Sequence, residues 1–167
     1  LYKPKAALIA HLYGWGSRNL KEIRRFCKKQ EVLLIEDGAQ CFATNYLGDS
    51  IYKNALISTS SFYPAKVLGA AGDGGAVFTN NKQIAQIARK LSNHGRSDRY
   101  GHDYVGWNSR MDSLQASYLL LALKYLPKKI KSRIKAINFY KKKINLDEIN
   151  FMHSPKEFNE NGYCNVI

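Results

Sequence analysis

Short apolar runs alternate with stretches of helical period along the first half of the chain. Ala6-Ala7-Leu8-Ile9-Ala10 predicts a small buried strand, and His11 to Gly16 turn off its end. Leu20, Ile23, Phe26 and Cys27 recur at helical spacing and predict a helix to about Gln30, with Asn19 and Glu22 in the pattern of a capping box. Val32-Leu33-Leu34-Ile35 is a continuous apolar run with β-branched members, the mark of a strand buried in a parallel sheet. Strand, helix and strand then make a right-handed βαβ unit. This sets Glu36 and Asp37 at the same carboxyl edge as His11.

Beyond a loop with Asn45 and Gly48, a second β-rich segment runs from Ala55 to Ser61. Gly75 to Thr79 predicts another strand, and the glycine-rich link before it is too short for a helical crossover, so this strand runs antiparallel to its predecessor. Asn80 or Asn81 caps a helix with the stripe Ile84, Ile87, Ala88 and Leu91, ending near His94-Gly95. Residues 96–107 are polar and irregular. Asp112 and Gln115 form a second capping pattern, and Leu114 to Leu123 is apolar enough for a buried helix. Pro127 is expected to separate that helix from a basic one. After Leu146 the pattern is irregular, and Tyr163 to Ile167 resembles a strand cut short.

Composition changes this picture little. The 167 residues suffice for one sizeable core, and 45% hydrophobic content is that of a globular protein. No run approaches the roughly 18 apolar residues of a membrane helix, and the start Leu1-Tyr2-Lys3-Pro4-Lys5 has no signal-peptide core. Cys27, Cys41 and Cys164 follow no metal or disulfide spacing, which points to reduced thiols and a cytoplasmic setting. The net charge of +13 raises polyanion binding as an alternative. Much of the excess lies between Lys124 and Lys143, where apolar positions 130, 134 and 137 keep helical spacing, so a solvated helix face accounts for it and nucleic acid is disfavoured.

Candidate chemistry gathers around Ser60-Ser61-Phe62-Tyr63-Pro64-Ala65-Lys66 and Ile35-Glu36-Asp37-Gly38-Ala39-Gln40. Open α/β sheets bind ligands at the carboxyl edge of their strands. A carboxylate there and a lysine from a later segment are the two protein groups that pyridoxal phosphate requires: an amine for its aldehyde and an acid to keep its ring nitrogen protonated. Gly69 to Gly75 matches neither a P-loop nor a dinucleotide fingerprint, and there is no nucleophile elbow.

These segments, with His11-Leu12-Tyr13-Gly14, Gly72-Asp73-Gly74-Gly75-Ala76-Val77 and Gly106 to Ala116, closely resemble the DegT/DnrJ/EryC1/StrS sugar aminotransferases in order and spacing, over the first three quarters of the chain. The resemblance implies a partial large domain of the fold-type I pyridoxal phosphate enzymes, a mostly parallel α/β sheet with helices on both faces. Residues 1–145 would form it and residues 146–167 would begin the small C-terminal domain. Family members are longer, so the chain is expected to be a central fragment. By the same resemblance Lys66 would carry the cofactor and shuttle the proton, and Asp37 would pair with the ring nitrogen. Ala39 would pack on the ring face, Gln40 would reach the phenolic oxygen, and Ser61 would bind the phosphate. Asn108 would reach the phosphate of a neighbouring subunit, which implies a homodimer with a shared site. The implied reaction is transamination of a nucleotide-linked keto-sugar, with glutamate the expected donor, in amino-sugar biosynthesis for a surface polysaccharide or glycosylated metabolite. A dehydratase branch of the family has histidine where Lys66 stands here. A catalytically silent structural or regulatory fragment would carry the same motifs and stays open as the alternative.

Overall fold

The computed structural model describes residues 3–144 and 149–167. In chain order the elements are β1 (Ala6–Ala10), α1 (Leu20–Lys29), β2 (Leu33–Asp37), β3 (Asn45–Tyr46), β4 (Asp49–Ser50), β5 (Ile57–Ser61), β6 (Gly75–Phe78), α2 (Lys82–Leu91), α3 (Ser113–Lys143) and β7 (Phe158–Asn159). The main sheet has the order β1-β2-β5-β6. β1, β2 and β5 are parallel, and β6 is antiparallel to β5, as its short link requires. The register sets Ala10 beside Asp37 and Asp37 beside Thr59, so the carboxyl ends of three strands lie together.

Two apolar clusters hold this frame. Trp15, Leu20, Cys41, Tyr46, Ile51, Tyr52 and Phe158 form one, joining α1 and the β3–β4 hairpin to the sheet. The other joins Phe62, Val67, Leu68 and Ala70, the segment that carries Lys66, to Leu119 and Leu126 of α3. At about 1.5–3 kcal/mol for each large apolar side chain taken from water, this second cluster is what fixes a segment otherwise lacking regular structure.

Several expectations are corrected. β1 is an edge strand among the described residues and not a buried one: Leu8 is 66% exposed and Leu33 of β2 58%, on a sheet face left largely open. The loop before Ser50 contains a hairpin, which turns at Leu47 and Gly48 with positive φ at both. Asn19 makes no side-chain cap, whereas Asn81 accepts from the amides of Gln83 and Ile84. Pro127 does not divide the last helical region; α3 runs through it, held by Leu119, Leu126 and Ile137 on one buried face. Within the stretch from Leu114 to Leu123 only Leu119 is buried, and Leu114 is 82% exposed. Residues 163–167 form no strand, although the Met152 amide donates to the carbonyl of Val166. The boundary expected at 145 and the change of pattern at Leu146 lie outside the described residues.

Candidate active site

Strand alternation sends Glu36 and Asp37 to opposite faces of β2. Glu36 is fully buried against α1, where its Oε1 accepts from Arg24 Nε at 2.8 Å and its Oε2 from Arg24 Nη2 at 2.8 Å, with His11 Nε2 at 2.9 Å from the same Oε2. Burial opposes ionisation of this carboxyl, but the hydrogen bonds and charges of His11 and Arg24 outweigh it and hold the group below the usual carboxylate range. Arg24 also donates to the Ile51 carbonyl, tying α1 to the loop beyond β4. The network anchors the strand that presents Asp37.

Asp37, half-buried at the end of β2, accepts the Ala39 amide on Oδ1 at 2.9 Å. The chain turns sharply there. Gly38 donates to the Thr59 carbonyl at 2.9 Å, and a Cβ at Gly38 would stand 2.5 Å from the Tyr52 ring, so only glycine fits. Tyr52 fills the space beneath, donating to the Gly38 carbonyl at 2.9 Å. Burial raises its phenol well above the ordinary range and pushes the Cys41 thiol up to about 12, so neither supplies an acid or base near neutrality.

Three further polar candidates share one feature. Gln40 Oε1 accepts from the Tyr13 amide, Ser61 Oγ from the Tyr63 amide at 3.2 Å, and Asn108 Oδ1 from Arg110 Nε at 3.2 Å. N–H groups thus occupy an acceptor of each, and among the described residues the side-chain donors of all three make no hydrogen bond.

Lys66 lies five residues past the end of β5 and is half-buried. Its Nζ donates to Tyr163 Oη at 3.4 Å. Asn161, two residues earlier, donates to the carbonyls of Gln40 and Phe42, so the last segment of the chain links the Gln40 turn to Lys66. Asn161 and Tyr163 were not among the sequence candidates; a clamp across 121 residues leaves no local pattern. Asn108 is on the wall of a cavity of about 840 Å³ lined also by Thr59, Ser60, Arg89 and Asp112; Lys66, Asp37 and Gln40 are not in that wall.

Among the described residues the ion pairs involve Lys3, His11, Arg24, Lys53 and Lys90, and neither Lys66 nor Asp37. A half-buried amine and a half-buried carboxylate without counter-ions suit a ligand that brings an aldehyde and a basic ring nitrogen. Side-chain donors such as those of Gln40 and Ser61 suit phenolic and phosphate oxygens.

The profile of the DegT/DnrJ/EryC1/StrS aminotransferase family matches residues 2–166. The chain is 38% identical over 138 residues to UDP-2-acetamido-2-deoxy-3-oxo-D-glucuronate aminotransferase of Pseudomonas aeruginosa, covering 83% of the chain and 38% of that protein. A DegT DnrJ EryC1 StrS aminotransferase from Brucella abortus superposes with a TM-score of 0.87 and 29% identity, over 96% of this chain and 43% of that one. NtdA from Bacillus subtilis, solved with bound cofactor PMP, superposes with a TM-score of 0.72 and 33% identity, over 81% of this chain and 31% of that one. The chain spans well under half the length of these relatives, and its fold is part of the expected fold-type I architecture.

Proposed function

Because the chain belongs to the DegT/DnrJ/EryC1/StrS aminotransferase family, we propose that it serves pyridoxal phosphate-dependent transfer of an amino group, from glutamate, to a ketone on a nucleotide-linked sugar. The observation that carries this reading is the pair Lys66 and Asp37, half-buried and without ionic partners among the described residues. When bound, the cofactor supplies an electron sink for the carbon that loses its proton.

The chain's own residues do the rest. Lys66 Nζ would hold the cofactor and would be the chain's own base for taking and returning a proton. Asp37 holds a proton on the ring nitrogen by its charge, and the Ala39 amide on Oδ1 keeps the carboxylate in place. Ala39 presents only a methyl to the ring face. Gln40 donates to the phenolic oxygen and Ser61 to the phosphate, through the hydrogens their local contacts leave over. Asn108, which is exposed, donates to the phosphate of a second subunit in a homodimer with a shared site. Residues 1–145 belong to the cofactor domain and residues 146–167 open the smaller one.

No helix among the described residues is long and apolar enough to cross a membrane. We place the reaction in the cytoplasm, in amino-sugar biosynthesis for a surface polysaccharide or glycosylated metabolite. The test is amino transfer by the complete natural polypeptide, with glutamate and a panel of nucleotide keto-sugars, followed by the absorbance of the pyridoxal form. Loss of that form with glutamate and its return with one keto-sugar support the reading; no change with any donor and acceptor overturns it.

A further inference from the structure

The cationic end of Lys66 rests on a side chain from the far end of the sequence. Its Nζ donates to Tyr163 Oη at 3.4 Å and lies 5.1 Å from the centre of the Tyr163 ring, at its hydroxyl end. The backbone on either side of that tyrosine is pinned. Asn161, fully buried, donates to the carbonyls of Gln40 at 2.8 Å and Phe42 at 2.9 Å and accepts the Tyr163 amide at 2.9 Å, which uses both its donors and its oxygen. Any side chain at Gly14 would collide with Asn161 Oδ1. From α3, Arg133 donates to the carbonyls of Gly162 at 3.0 Å and Tyr163 at 3.4 Å. A buried amide satisfied on both donor and acceptor sides is a specific fixture, because any loosening strands a polar group away from water.

We propose that Tyr163 is a positioning residue for Lys66: the Asn161 clamp and Arg133 hold its ring and hydroxyl where the lysine amine settles, beside the Gln40 turn. The proposal rests on the reading of Lys66 as the cofactor-bearing lysine. Four rotatable bonds let a lysine amine wander, and a ring with a hydroxyl at its end restricts where it stands. The clamp also makes the position of Lys66 answer to the segment that carries Gln40, so the amine and the group facing the phenolic oxygen stay in register.

The test compares the complete natural polypeptide with its Tyr163→Phe and Tyr163→Leu variants. Each is labelled without cofactor by a trace of acetic anhydride, and Lys66 is read against exposed Lys135 by peptide mapping. The phenylalanine keeps the ring and packing but loses the hydroxyl, so a merely structural role leaves its ratio unmoved. Expected is a rise in the Lys66 to Lys135 ratio of about 3-fold in Tyr163→Phe and about 10-fold in Tyr163→Leu. Should the leucine variant not fold, the phenylalanine ratio decides alone. In parallel the unmutated protein is treated with pyridoxal phosphate and borohydride. A label on Lys66 with an unchanged ratio overturns the inference alone; a label on another lysine overturns the reading of Lys66 and the inference with it.

Discussion

Glu36 and Asp37 are neighbours in sequence with opposite duties, because a strand turns them to opposite faces. Glu36, with its pKa held below the ordinary 4.5, contributes stability that is present at neutral pH and lost as pH falls through its folded value. Glu36→Gln should cost about 3 kcal/mol at pH 7 by leaving the half-buried Arg24 guanidinium without its counter-charge and buried His11 without its carboxylate partner. The acid limb below about pH 4.5 should also be shallower in the variant. Urea unfolding at pH 7 and along a series down to pH 3 measures both effects, and equal midpoints for the two proteins at every pH would contradict them. Asp37→Asn acts elsewhere. It should leave cofactor attachment intact and slow amino transfer by about 100-fold or more, since a neutral amide no longer favours a protonated ring nitrogen. Single-turnover kinetics would show this, and near-normal transfer by a folded variant would make Asp37 a structural residue.

At the scale of elements, the two asparagines read as caps separate cleanly. Asn81→Ala removes bonds to two amides and should destabilise by about 1 kcal/mol, while Asn19→Ala, with no side-chain cap to lose, should stay within about 0.5 kcal/mol. Pro127→Ala should stabilise α3, by up to about 3 kcal/mol, because it restores a helical hydrogen bond and removes a ring clash. Equilibrium denaturation decides each, and a stability loss for Pro127→Ala would mean that the proline is matched to a bend. The sequence carried the four strands of the main sheet, the antiparallel β6 among them, and the caps at Asn81 and at Asp112, which accepts the Gln115 amide, because these depend on residue period and on groups a few positions apart. It did not carry the continuity of α3, since local propensity at Pro127 is overridden by packing on Leu119, Leu126 and Ile137. The exposure of Leu8 was likewise hidden, because an apolar run does not reveal which face of a strand is left uncovered.

For the whole molecule, the account joins a frame that sequence patterns describe well to a site that they describe only in part. Asp37 ends β2, where a strand-edge rule finds it, whereas Ala39 and Gln40 just beyond it and Ser61 at the end of β5 come from the family resemblance. Tyr163, Asn161 and Arg133 reach Lys66 only through tertiary contacts and were legible only once the chain had folded. The central claim is that Lys66 is the residue that holds the cofactor, and the most direct measurement is borohydride reduction of the complete natural polypeptide loaded with pyridoxal phosphate, followed by peptide mapping. The account predicts a pyridoxyl group on Lys66 and on no other lysine; the group on a different lysine, or on none, would contradict it.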